Sequence, residues 1–242
     1  QTADLDAVRG PSVVRLSRPD DDLAHWYFVA PTAGGLKVRI DGVEVEVERW
    51  QAAIDHLLDT HTKLGAKVKL RLTNAAEWER IEKGEDQTGA RLAPVPTAGW
   101  HYHWASSGGS VHPAYGSMTA AGIAGLALAT SVLRTRGLER DRRHATSADA
   151  IRHGFAWFAN NFSARWHPGR LDYQLSHVNY YLYTLERACE LTGVVLFQDR
   201  DWYFEGAMAL MSWQDDNGSF QADIHRGEPL ERTAMAVLFL KK

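Results

Sequence analysis

Two histidines stand one residue apart in an aromatic run, Gly-Trp-His-Tyr-His-Trp, and their spacing suggests metal chemistry. On a strand, His101 and His103 would share one face, because successive side chains alternate between the two faces. Two imidazoles on one face chelate a metal when a third ligand, such as His112 or Asp223, joins them. The alternative interpretation is that both histidines cap a packed cluster formed by the three other aromatic residues of the run.

Two clusters of carboxylates are candidates for acid chemistry. Asp20, Asp21 and Asp22 follow Pro19 in a polar segment. Asp215-Asp216 precedes Asn217-Gly218, a sequence typical of a turn in which carboxylates bond nearby backbone. We therefore predict a structural role for the second cluster.

The single cysteine limits the sulfur chemistry that the chain can perform. One cysteine excludes an intramolecular disulfide and a zinc site of several cysteines. Cys189 lies within a helical apolar pattern, which predicts a buried structural thiol rather than a nucleophile. The sequence also carries no phosphate-cradling glycine loop and no nucleophile-elbow motif.

The composition is that of a globular protein with enough apolar residues for a core: 242 residues, 45% hydrophobic and 24% charged. The net charge of −3 and the lack of a clustered basic face argue against a nucleic-acid partner. The arginines between Arg134 and Arg143 are interpreted as a solvated loop. No apolar run is long enough for a transmembrane segment, and the chain begins at Gln1, so we expect a soluble protein that is exported if Gln1 is a mature N-terminus.

Amphipathic and apolar periodicity predicts a mainly helical chain. Residues 1–22 are expected to be an irregular arm, and residues 23–33 a helix ended by Pro31. Residues 38–47 alternate around Asp41-Gly42 as a short hairpin would, with a helix as the rival interpretation from residue 45 onward. Residues 65–104 lack periodicity and are predicted to be a long irregular insertion. The remaining helices are predicted over residues 50–64, 117–133, 147–162, 176–192, 201–214 and 231–240.

These six helices fall into three consecutive pairs. The first helix of each pair is amphipathic, while the second is apolar on most sides, as a helix surrounded by neighbours should be. A single pair of this kind cannot bury its own apolar face, so stacked pairs must do it together. The pattern predicts two layers, with the first helices outside and the second helices inside.

The last pair carries the most specific motif of the chain. Gly206 lies in its first helix, and Gln214, Gly218 and Phe220 follow in the segment Gln-Asp-Asp-Asn-Gly-Ser-Phe. This spacing resembles the glutamine–aromatic repeat of squalene and hopene cyclases, in which the final position is usually Trp. Residues 116–129, 180–193 and 201–220 are likewise similar to bacterial prenyltransferase/squalene-cyclase repeat proteins.

The resemblance covers residue 50 to the C-terminus and implies an all-α fold, an α/α toroid with alternating outer and inner helices. A full toroid has about six helix pairs, and this chain supplies three or four. We therefore expect a partial toroid over residues 23–242, whose open edge is covered by a protein partner or by self-association. The aromatic residues would also suit an apolar small molecule such as an isoprenoid.

Loops that enter the inner helices of a toroid line one mouth of its central cavity. The candidates for ligand contact there are His101, His103, Tyr115, His177, Tyr181, Asp223 and His225.

The residues that perform catalysis in the resembled families are missing. Terpene cyclases use an Asp-x-Asp-Asp acid, which neither aspartate cluster matches. Protein prenyltransferases hold zinc with an Asp two residues before a Cys, and Arg187 occupies that position before Cys189. We therefore expect no metal and no cofactor, and favour a non-catalytic scaffold that binds a ligand or a protein. A divergent terpene cyclase or prenyltransferase, and a carbohydrate-processing toroid, remain the alternatives.

Overall fold

The structure is a computed structural model, and it describes residues 3–4, 12–16, 25–29, 37–38, 47–83, 93–101, 114–135, 137–138, 140–169, 177–220 and 229–241. The fold is mostly helical with small sheets, in agreement with the predicted helical class. The helices are α1 Val47–Asp59, α2 Ala75–Glu82, α3 Gly116–Thr135, α4 Arg143–Asn161, α5 Val178–Thr192, α6 Trp202–Ser212 and α7 Pro229–Leu240. Each of the six paired helices predicted from periodicity is present, and only α2 was not predicted.

Short antiparallel sheets account for the predictions that are wrong. Strand β1 (Ala3–Asp4) pairs with β4 (Lys37–Val38), and β2 (Ser12–Leu16) pairs with β3 (His25–Val29). Part of the predicted irregular arm is therefore strand, and the helix predicted over residues 23–33 is replaced by β3. Val38 pairs with Ala3 rather than across a turn, and Asp41-Gly42 lies outside the described residues.

The predicted irregular insertion at residues 65–104 is also wrong. Strand β5 (Thr62–Lys69) pairs with β7 (Pro94–Gly99), while β6 (Leu72–Asn74), β8 (Val194–Phe197) and β9 (Arg200–Asp201) form a second sheet. Two prolines in β7 argued against a strand in the sequence. Strand β7 pairs with β5 alone and is therefore an edge strand, where proline is tolerated. Gly65 likewise argued against a strand at the position of β5. Its φ of 76° lies where the strand register shifts, so it forms a bulge inside the strand.

One hydrophobic core unites these elements, from Ile54 of α1 to Phe239 of α7. The glycine-rich helix α3 lies at its centre and contacts α1, α4 and α5. A Cβ added to Gly122 would lie 2.3 Å from the ring of Trp100, so only glycine permits this approach. By length and composition α3 also passes for a membrane-spanning helix, contrary to the expectation from its sequence, but a packed core helix has the same composition.

Helices α3, α5 and α7 begin at the same end of the molecule. Asn179, in the first turn of α5, donates a 3.0 Å hydrogen bond to the carbonyl of Arg232, in the first turn of α7. At the other end of these two helices, Arg187 and Lys241 line one groove, so the helices are parallel. Gly116, the first residue of α3, packs on the ring of Tyr181 in α5.

Helices α1, α4 and α6 run in the opposite direction. The loop after α4 bonds the start of α3, where the Gly116 amide donates to the Pro168 carbonyl at 2.9 Å. Gln51, near the start of α1, donates to Asp141, which lies between the end of α3 and the start of α4. In the last pair, the Tyr203 hydroxyl near the start of α6 donates to the carbonyl of Leu240 at the end of α7.

The basic run between α3 and α4 is not wholly solvated, contrary to the prediction. The guanidinium of Arg143 donates two 2.8 Å hydrogen bonds to the carboxylate of Asp55 in α1 and also contacts Asp141. Helix α4 begins at Arg143 rather than at Ser147, and the Asp141 carboxylate accepts from its first amide. The arginine therefore joins the start of α4 to the second half of α1.

Candidate functional site

Two of the predicted cavity residues, Tyr115 and Tyr181, meet around a histidine that the sequence did not single out. The imidazole of His167 stacks on the Tyr181 ring at 5.2 Å and lies edge-on to Tyr115 at 5.5 Å. All three side chains are buried. Its Nε2 accepts a 3.0 Å hydrogen bond from the amide of Ser117, so the ring is neutral and carries its proton on Nδ1.

This cluster caps the start of α3. The first amides of a helix have no partner within the helix, and in α3 Pro168 and His167 accept from two of them. The Thr119 hydroxyl accepts from the amide of Trp100. No sequence motif pointed to His167.

The hydroxyl of Tyr181 is buried and makes no hydrogen bond in the described part of the chain. Burial raises the pKa of this phenol well above its usual value, and nearby Cys189 acts in the same direction, while the charge of Arg200 opposes it. The phenol therefore stays protonated. The prediction that Cys189 is a buried thiol is confirmed.

A second imidazole cluster lies where α1 ends. The ring of His61 lies 4.4 Å from Trp100 and 5.7 Å from His153 of α4. Burial, followed by the charges on His153 and Lys63, lowers the pKa of His61 to about 4. Burial also lowers the pKa of His153. Both rings are thus neutral near pH 7 and pack as aromatic groups.

Of the other predicted site residues, the structure describes His101 and His177. His101 contacts the Thr62 hydroxyl at 3.4 Å beside the second cluster, and His177 is exposed just before α5 with a φ of 57°. His103, His112, Asp223 and His225 lie outside the described residues. Among the residues that are described, no three His, Cys, Asp or Glu side chains are grouped to hold a metal.

The repeat motif joins α6 to α7. A Cβ on Gly206 would lie 2.4 Å from the Phe239 ring, so this glycine lets the two helices approach. Gly218, with a φ of 83°, turns the chain, and Gln214 donates to its carbonyl at 3.3 Å. Phe220 is buried, and its amide donates to Thr233 at the start of α7.

The same helix pair carries exposed apolar side chains on both helices, and we call the stripe on α6 the end face. On α6, Phe204, Met208 and Met211 recur at the spacing of one helical stripe. The exposed fractions are 61% for Phe204, 49% for Met208, 53% for Met211, 81% for Leu230 and 50% for Val237, the last two on α7. The only charged side chain of α6, Glu205, is paired with Arg200 of the same molecule. An apolar surface without free charge is the feature of this structure best suited to recognition.

The chain matches no protein-family model, no curated protein and no solved structure.

Proposed function

We propose that this chain is an arc of an α/α toroid of the prenyltransferase/squalene-cyclase type, which serves as a non-catalytic scaffold for a protein partner. The directions of the helices support the toroid. Helices α3, α5 and α7 begin at one end, as inner helices would. Helices α1, α4 and α6 run against them, as outer helices would.

The end face is the observation that carries the proposed function. In a stack of helix pairs, the apolar flank of each pair is covered by the next pair. Nothing in the described part of the chain covers the stripe of Phe204, Met208 and Met211 on α6. The partner therefore presents an uncharged, apolar helical surface, because a charged one would lose its hydration without compensation.

The packing of the aromatic residues favours a scaffold over an isoprenoid enzyme. Trp100 and Trp202 are buried, and their indoles donate to the carbonyls of Leu57 and Val194. Tyr181 is enclosed by His167 and the start of α3. These side chains are thus packed within the core of the described part of the chain.

A photocrosslinking experiment tests the scaffold role. We replace Met208 with benzoylphenylalanine, or Leu128 of α3 as a control, since Leu128 is a similarly exposed apolar residue elsewhere. We expect a crosslinked adduct of discrete mass from position 208 and none from position 128. The adduct from position 208 should disappear when Phe204→Glu and Met211→Glu are added to the same chain. Equal labelling from both positions, or products formed from farnesyl diphosphate and Mg²⁺, would contradict the proposal.

A further inference from the structure

The buried side chain of Asn179 has one hydrogen-bonding atom without a partner. Asn179 is 2% exposed and lies in the first turn of α5. Its Nδ2 donates to the carbonyl of Arg232, and because a carbonyl only accepts, this bond fixes which way the amide faces. The Oδ1 atom therefore points away from that carbonyl, and in the described part of the chain it meets no donor. A buried acceptor of this kind calls for a donor from another molecule.

Arg232 places an unpaired donor and a positive charge beside this acceptor. Its Nε atom is buried without an acceptor, and the side chain forms no ion pair with any residue that the structure describes. The positive end of α7 also opposes a cation in the first turn of that helix. The neighbouring Glu231 is exposed and lies about 100° further round the helix. An anion at this point would relieve both the unpaired donor and the unfavourable charge.

The start of α5 adds backbone donors at the same place. Within the described ranges, the amides of Val178 and Asn179 find no acceptor, and the preceding His177 provides no side-chain cap. The bond from Asn179 to Arg232 holds the starts of α5 and α7 together. Their two positive ends therefore act on one region, which favours a negatively charged ligand.

From these groups we infer a binding site for a small 2-hydroxy carboxylate at the starts of α5 and α7. The carboxylate accepts hydrogen bonds from the Arg232 guanidinium and from the amides of Val178 and Asn179. The hydroxyl beside the carboxylate donates to Oδ1 of Asn179. A carboxylate without this hydroxyl would satisfy the donors but leave the acceptor unpaired. Arg232 is only partly buried, so its side chain can move aside to admit the ligand.

Titration of the 15N-labelled chain with L-lactate, followed by NMR, tests the site. We expect the amide signals of Val178 and Asn179 to shift. Lactate should bind about 3–10 times more tightly than propionate, which differs only in lacking the hydroxyl. Inorganic phosphate offers a similar combination of acceptors and one O–H donor. Tighter binding of phosphate than of lactate would overturn the assignment to a carboxylate.

Two substitutions separate the roles of the charge and of the acceptor. Arg232→Gln should weaken lactate binding about tenfold, because it removes the cation. The matched control Arg80→Gln removes an exposed arginine of α2 and should leave binding unchanged. Asn179→Ala should abolish the preference for lactate over propionate, because the hydroxyl then has no acceptor. A general loss of structure would not produce this selective change, and the dispersion of the NMR signals checks that each variant is folded.

The comparison of ligands on the original chain is decisive even if Asn179→Ala does not fold. The inference is overturned if the signals of Val178 and Asn179 do not shift with about 50 mM lactate, or if propionate binds as tightly as lactate. The site is separate from the end face on α6 and does not depend on the scaffold role. Failure here therefore leaves the crosslinking test at position 208 unaffected, and failure of that test leaves this site standing.

Discussion

The amide of Ser117 donates a 3.0 Å hydrogen bond to Nε2 of His167, fifty positions further along the chain. This bond joins the first turn of the central helix α3 to the loop that follows α4. Both partners are buried, so neither group finds water when the bond is broken.

His167→Phe should therefore lower the free energy of unfolding by about 1–3 kcal/mol, because it keeps an aromatic ring on Tyr181 but leaves a buried amide unpaired. Urea denaturation followed by circular dichroism measures the change. His167→Gln, which supplies an acceptor again, should recover part of the loss. Equal stability of the phenylalanine variant and the original protein would show that the bond contributes nothing.

The stability of the protein should fall as the pH decreases from about 6.5 towards 4. His61 has a folded-state pKa of about 4, below its unfolded value of 6.5, because burial disfavours its charged form. The unfolded chain thus binds the proton first, and stability that is complete above pH 6.5 is lost on acidification. Since the ring is partly open to solvent, we expect a loss on the order of 1–2 kcal/mol.

Thermal melts at closely spaced pH values check this, with His61→Phe as the comparison. The thermal stability of the variant should depend less steeply on pH over the same window. Part of the pH dependence that remains should come from His153, whose pKa is also lowered. If His61→Phe leaves the change of stability with pH as steep as in the original protein, other groups cause the loss of stability in acid.

Breaking the contact between Arg143 and Asp55 should destabilise the junction of α1 and α4. The contact is bidentate and the arginine is largely shielded, so Arg143→Met should cost about 1–2 kcal/mol. A double-mutant cycle with Asp55→Asn, measured by urea denaturation, isolates the pair. Lys83 and Glu79 form an exposed pair, and the same cycle there should give a coupling near zero.

Gly206→Ala should cost about 1–3 kcal/mol, because the new methyl group would lie 2.4 Å from the ring of Phe239. Phe239→Leu in the same chain should relieve part of this crowding, which thermal melts can detect. Gly218→Ala is the contrasting case, since its space is open and its cost of about 1 kcal/mol arises from a positive φ alone. If Phe239→Leu does not raise the stability of the Gly206→Ala variant, α6 and α7 can change their separation without cost.

Periodicity located the described helices except α2, because their apolar stripes repeat every three to four residues and depend only on local sequence. The turn at Asp215 followed from local chemistry in the same way, and it is present. Strands β5 and β7 escaped detection because Gly65 and two prolines interrupt their alternation. Their pairing joins segments far apart in the chain, which no short pattern encodes.

The sequence by itself determined the helix positions, the buried thiol at Cys189 and the apolar character of α6. Only the tertiary structure decided that His167 accepts from Ser117, and that His61 is stacked and neutral. It also decided that Phe204 and Met208 remain exposed while Trp202 is buried. The reason is that a histidine or a methionine has the same local pattern in a core, a cap or a surface, and its neighbours from distant parts of the chain select among these.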